Sequence, residues 1–309
     1  MKKSIFVLLI FLVACASPAV VPTVTSLPPT ITNTPAPSST PTIIPSPTIT
    51  PIPDELIDEK GITMRLVPAG EFTMGNKAED TLAECQKVRS DCQLDLFKDE
   101  EPIHQVYLDA FYMDIYEVTK AAYKVCVEAG ACTPPEKTLF YNPDSYYADS
   151  QYDNHPMIFV DWDQANTYCE WRGGSLPTEA QWEKAARGTD GRIYPWGEQR
   201  SCDQANSLGC VGDDLNAINT VEVGSYESGK SPYGMYDMAG NVSEWTADWY
   251  DSSYYANSPS SNPLGPSSGD HHVARGGSFY AIGVGISSVN RDTNNGRATV
   301  GFRCAKDAP

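Results

Sequence analysis

Cysteine offers the most chemistry in this 309-residue chain, which has nine. Cys15 stands alone near the start. The other eight are Cys85, Cys92, Cys126, Cys132, Cys169, Cys202, Cys210 and Cys304. A thiolate can attack a substrate or hold a soft metal, whereas paired cysteines cross-link a fold. No CxxC or CxxH spacing is present, so zinc is not supported. An even set in an exported domain reads instead as four disulfides. Three pairs are local: Cys85 with Cys92, Cys126 with Cys132, and Cys202 with Cys210. Cys169 and Cys304 remain. The four histidines, His104, His155, His271 and His272, lack the spacing of a metal site. As strand neighbours, His271 and His272 would point to opposite faces. Nucleotide-binding motifs, a Gly-x-Ser-x-Gly elbow and a recognisable Ser-His-Asp order are absent from the sequence.

Export is read from the first residues. Residues 1–14, MKKSIFVLLIFLVA, place two lysines before an apolar run that is short for a membrane span. Leu12-Val13-Ala14-Cys15 is similar to the bacterial lipobox, which predicts acylation of Cys15 and a lipid anchor in a bacterial envelope. Residues 16–53 hold 11 prolines, many Ser and Thr, and no charge. Proline fixes φ and donates no hydrogen bond, so residues 15–53 are expected to form a disordered tether of at most ~120 Å. The folded domain is then residues 54–309. Removing Lys2 and Lys3 from the 22 basic residues leaves 20 against 40 acidic ones, a net charge of -20. Such a surface is repelled by nucleic acid and anionic lipid.

The elements that must position the cysteines follow from periodicity. Residues 62–75 alternate around Pro68-Ala69-Gly70 and predict a β-hairpin. Residues 76–98 are polar and irregular. Residues 102–116 alternate and predict a strand. Thr119 caps a helix through Ala129, with Ala122, Val125, Cys126 and Ala129 on one face and Gly130 as its stop. Asp161 and Gln164 have capping-box spacing, with Ala165, Tyr168 and Cys169 sharing a face. Residues 176–188 give a third helix, capped by Thr178 and Gln181, with Trp182, Ala185 and Ala186 inward. Beyond Gly197 the chain is rich in Gly, Ser, Asn and Asp.

Three motifs carry a family resemblance. They are the helix begun by Trp162 with Leu176-Pro-Thr-Glu-Ala-Gln-Trp-Glu183 and Tyr194-Pro-Trp-Gly197, then YDMAGNVSEW at residues 236–245, and finally Arg275-Gly-Gly-Ser278 with Gly301-Phe-Arg-Cys-Ala305. Together they resemble the formylglycine-generating enzyme, or sulfatase-modifying factor, family over residues 61–305. The resemblance implies a loop-rich α+β fold with little regular secondary structure, related to C-type lectins. It also implies a Cys169–Cys304 disulfide tying the second helix to the C-terminus.

The same resemblance assigns sites. Active enzymes carry two cysteines shortly after Gly-Gly-Ser; those positions here are Ala281 and Ile286, and a family Trp is Ser243. Neither replacement forms a thiolate, so no catalytic residue is assigned and no copper is expected. A calcium site is implied at the Asp237 and Glu244 side chains with the Gly240 and Val242 carbonyls, since hard oxygens suit Ca²⁺. A second would use Asn206, the Ser207 carbonyl and an acid near Asp214, either Asp213 or Asp214 itself. In lectin-like relatives the C-terminal stretch displays ligand contacts. The matching residues are Ser278, Phe279, Tyr280, Asp292, Asn294, Asn295 and Arg297. The competing reading makes Ile282, Val284 and Ile286 the core side of one alternating strand, and the Asn-Asn-Gly run a turn.

The leading functional expectation is therefore a surface-anchored, non-oxidising module that recognises a protein or glycan, or acts as a scaffold. The alternatives are an oxidase making formylglycine in exported sulfatases, and an accessory subunit of such an enzyme.

Overall fold

The computed structural model describes residues 52–135, 144–208, 220–293 and 298–309. These fall in one unit, Thr50–Pro309. The expected signal segment, Cys15 and residues 15–51 of the tether lie outside the described residues.

Ten short strands and five helices carry the fold among the described residues. In chain order they are β1 (Glu55–Ile57), β2 (Thr63–Val67), β3 (Gly70–Met74), α1 (Ala78–Gln86), β4 (His104–Leu108), β5 (Phe111–Asp114), α2 (Lys120–Glu128), α3 (Asp144–Ala148), α4 (Trp162–Trp171) and α5 (Glu179–Arg187). Then follow β6 (Ser243–Trp249), β7 (His272–Arg275), β8 (Arg291–Asp292), β9 (Val300–Gly301) and β10 (Ala305–Asp307). One sheet has the order β1-β2-β5-β10, a second is β3-β4, and a third is β8-β7-β6-β9. All pairings are antiparallel except β6 with β9.

Both expected capping boxes form. Asp161 accepts from Gln164 N at 2.9 Å, and Thr178 from Gln181 N at 3.1 Å. Each satisfies a first-turn N–H that has no partner within its helix. Gly188 ends α5 at φ 71°, where a non-glycine residue would be strained. Ala165, Tyr168 and Cys169 of α4 point into one core cluster, and Trp182, Ala185 and Ala186 of α5 into another.

Four expectations are corrected. The stretch 62–75 is no hairpin: β2 pairs with β1 and β5, and β3 with β4. The Lys184 ammonium takes the Pro68 and Gly70 carbonyls at 2.8 Å each, which holds the connection against α5 and sends the strands into different sheets. The expected single strand at 102–116 is broken at Asp109-Ala110 into β4 and β5. On α2 the inner face is Lys120, Tyr123 and Cys126, while Val125 is 55% exposed. Tyr123 stacks on Tyr168 at 5.6 Å and bonds Thr133 O, and this rotates the helix from the face that Ala122 and Val125 suggested. The polar stretch 76–98 contains α1, whose Ala78, Thr81 and Cys85 are buried.

Disulfides join Cys85 to Cys92, Cys126 to Cys132, and Cys169 to Cys304. Cys202 is also disulfide-bonded; its expected partner, Cys210, lies outside the described residues. The Cys169–Cys304 bond fastens α4 to the C-terminal strand, where Cys304 N also donates to Asp114 at 2.9 Å.

Candidate functional site

The site is assembled on the inner face of α5. Glu179 and Glu183 lie one turn apart and are buried at 1% and 0% exposure. Arg275, the basic residue before Gly-Gly-Ser, reaches Glu179 at 3.1 Å and Glu183 at 2.7 Å. Arg291 grips Glu179 with two bonds of 2.7 and 3.0 Å, and Arg187 bonds Glu183 at 2.9 Å. Burial alone would raise the Glu179 carboxyl, but Arg291 and Arg275 beside it hold it below the usual carboxylate range. The alternating charges fix the turn that follows. Gly276 sits at φ 86° against the Trp182 ring, and Gly277 at φ 66° against the Gly285 carbonyl, where a Cβ would lie 2.0 Å from the oxygen. Glycine is needed at both positions for conformation and for space.

A second polar layer lies beside it. Glu244, at the start of β6, accepts Arg303 at 2.6 and 2.7 Å and Trp182 Nε1 at 2.8 Å. Asp237 accepts Gly224 N at 2.6 Å from a left-handed conformation, φ 56°. Burial pushes its carboxyl up to about 6, with Glu244 adding to the effect. Glu117 accepts Asn241 Nδ2 at 2.6 Å and Val242 N at 3.1 Å; burial, then Asp237 and Glu244, hold its carboxyl well above the usual range. Three buried carboxylates therefore act on one guanidinium, Arg303. The loop is pinned on both sides: Asn241 N donates to Asn206 O at 2.8 Å, and Gly240 N to Gly276 O at 2.9 Å. A Cβ on Gly240 would meet Asn206 O at 2.4 Å.

This layer tests the calcium expectation. Asp237, Glu117 and Glu244 crowd one guanidinium, and a bound cation would favour the ionised form that burial disfavours at Asp237 and Glu117. Among the described residues, no group of three or more His, Cys, Asp or Glu is arranged to hold a metal ion. The expected set needs only two carboxylates, with carbonyls completing it. Asn206 and Ser207 of the second expected set are buried, whereas Asp214 lies outside the described residues. Sequence reading missed Glu117, which stands alone in a strand-to-helix connection and meets the loop only in three dimensions.

The structure brings Ala281 and Ile286 together. Ile286 is fully buried with Tyr194, Ala205 and Ala239, and Ala281 packs on the same cluster. The expected ligand face is only partly exposed. Tyr280 is 50% exposed, but Phe279 is 5% exposed and cannot supply contact area. The Phe279 amide is tied to Asn241 O, which turns its ring inward. Ser278 is buried, and its hydroxyl accepts Tyr280 N at 3.3 Å. Asp292 is partly buried in β8, paired with Ala274 of β7. Asn294, Asn295 and Arg297 lie outside the described residues. The single alternating strand is also corrected. Ile282 is 38% exposed, and Gly283–Ile286 forms a 3-10 turn that Gly283 enters at φ 62°. The disulfide-tied α1 covers this turn, where Ala78 and Cys85 cluster with Val284 and with Phe97 of the 3-10 segment Leu94–Glu100.

These contacts make up a loop-rich α+β unit, cross-linked by disulfides and centred on a buried Arg-Gly-Gly-Ser turn. Its fold is the formylglycine-generating-enzyme-like, C-type-lectin-related one that the motifs implied. Residues 53–308 match the sulfatase-modifying factor enzyme 1-like domain, and the chain belongs to that family. It is 36% identical over 228 residues to a protein of Chlamydia caviae named serine/threonine-protein kinase pkn1, covering 68% of this chain and 35% of that protein. The chain thus spans about a third of the length of that relative. It is 31% identical over 293 residues to the formylglycine-generating enzyme of Streptomyces coelicolor, covering 78% of this chain and 88% of the enzyme. Among solved structures, PvdO from Pseudomonas aeruginosa superposes with TM-score 0.63 at 25% identity, covering 84% of this chain and 99% of that one. Treponema denticola variable protein 1 shares the fold, with TM-score 0.57 at 20% identity over 80% of this chain and 95% of that one.

Proposed function

We propose that this protein is a surface-anchored member of the family that does not oxidise cysteine and serves as a recognition or scaffold module. One observation carries the reading: the positions matching the family's reactive cysteines are Ala281 and Ile286, and both are built into an apolar cluster. Every described cysteine is disulfide-bonded, which leaves no thiolate among them to take over the chemistry. Acylation at Cys15 and the proline-rich tether would hold the domain on the outer side of a bacterial membrane. Ca²⁺ at Asp237 and Glu244, with the Gly240 and Val242 carbonyls, would neutralise the buried acidic layer and stiffen the loop behind the Gly-Gly-Ser turn. Tyr280, Asp292 and the segment through Arg297 would face a protein or glycan ligand.

A second reading, cysteine oxidation on exported sulfatases, is favoured by the resemblance to the Streptomyces coelicolor enzyme along most of that enzyme's length. Incubating the purified protein with copper and a cysteine-containing sulfatase peptide separates the two. The module reading expects no oxygen uptake and no aldehyde in the peptide. Copper-dependent aldehyde formation would overturn it. A pull-down on envelope and glycan fractions of the source organism then tests recognition, with Tyr280→Ala/Arg297→Ala expected to lose whatever the wild type retains.

A further inference from the structure

The opposite face of β6 builds a second site. Along this strand Glu244 and Asp248 turn towards α5, where they accept Trp182 Nε1 and Glu179 N. Trp245, Ala247 and Trp249 turn the other way, towards the start of α4. There Trp162 donates to Thr246 O at 2.7 Å. The His272 ring stacks on Trp162 with centroids 3.9 Å apart and planes 8° apart, and on Trp249 at 3.7 Å and 26°. Two near-parallel rings this close must occupy opposite faces of the imidazole, so the three form one stack. The stack fixes the orientation of both indoles, each of which stays partly exposed. They line an open cleft of about 530 Å³ together with Trp245 and the exposed carboxylates Asp163 and Asp270. No Lys or Arg lines it.

Indole faces carry negative quadrupole potential and attract cations. Exposed carboxylates at the rim add long-range attraction, and the net negative chain adds more. Burial among the indoles holds the His272 imidazole below its usual range, so at neutral pH it does not compete as a cation. A neutral sugar could also stack on indole, but it gains nothing from the carboxylates of a site whose lining includes His271 and His272 but no Lys or Arg. An anionic ligand is repelled.

We propose that the cleft between α4 and the β6–β7 pair binds an organic cation, an ammonium group with apolar substituents, through Trp162, Trp249, Asp163 and Asp270. This site is independent of the Gly-Gly-Ser turn and of the proposed calcium loop, which lie on the α5 side of β6.

Choline and tetramethylammonium, titrated into the purified protein at fixed ionic strength, test it by calorimetry and tryptophan fluorescence. The uncharged isostere 3,3-dimethylbutan-1-ol and N-acetylglucosamine serve as controls. Saturable choline binding is expected, weakened about tenfold for the neutral isostere. Trp249→Ala should abolish it. Asp163→Asn/Asp270→Asn, which alters only exposed side chains, should weaken it about threefold to tenfold with the fold intact by circular dichroism. Absence of choline binding, equal binding of the isostere, sugar binding in place of choline, or unchanged affinity in the Asp163→Asn/Asp270→Asn protein would each overturn the assignment.

Discussion

Asp237→Asn isolates the buried acidic layer. The Asp237 carboxyl is raised from an ordinary 3.8 to about 6 by burial, with Glu244 adding to it. The folded state therefore binds this proton more tightly than the unfolded state does. Its stability penalty is absent below the unfolded value, grows as pH rises, and is complete above about 6. The displacement corresponds to about 3 kcal/mol at pH 7.5. Asparagine keeps an oxygen for Gly224 N and is among the residues that tolerate φ 56°. In metal-stripped buffer, urea titration should find the Asp237→Asn protein more stable than wild type by up to about 3 kcal/mol at pH 7.5, with the difference vanishing near pH 4. Ca²⁺ at a hundred times its dissociation constant would add about 2.7 kcal/mol to the wild type. That gain should shrink as acid protonates Asp237, and should be largely lost in the substituted protein. Equal stability of the two proteins at pH 7.5 without metal would refute the charge argument. Equal stabilisation of both by Ca²⁺ would refute the site.

Removing the Cys169–Cys304 bond with paired alanines should destabilise by about 5 kcal/mol in the chain-entropy treatment of its 135-residue separation, against about 2.2 kcal/mol for Cys126–Cys132 at a separation of 6. Equal losses in urea titration would contradict this. Arg275→Met leaves Glu179 and Glu183 short of a buried partner and should cost about 3 to 5 kcal/mol by thermal or urea unfolding; a near-neutral result would show that Arg291 and Arg187 suffice. Mass spectrometry of the native N-terminus should find acylated Cys15, and a free thiol there would remove the anchor from the proposal.

Much of the fold was legible because its signals are local. Thr119, Asp161 and Thr178 cap their own helices, and Gly130 and Gly188 stop two of them. A cap needs only residues three apart, so the sequence contains the whole interaction. Ser278 and Arg303 were visible as motif residues, but their work was not. Arg303 bonds Glu244, Tyr236 O and the carbonyls of Asp114 and Ile115, from distant stretches of chain.

Read alone, the chain contained the class of fold, the caps of α2, α4 and α5, the pairs Cys85–Cys92 and Cys126–Cys132, and the absence of a thiol at positions 281 and 286. Each follows from residue type and short spacing, or from motifs read whole. Tertiary structure alone decided that β2 and β3 join different sheets, that Phe279 turns inward, that Glu117 meets Asp237, and that Trp162, His272 and Trp249 form one stack. Those outcomes depend on burial and charge shared between residues distant in the chain. A buried carboxylate accepts whichever donor the packing supplies, and an aromatic ring whichever face is brought to it, so no pattern along the sequence names the partner.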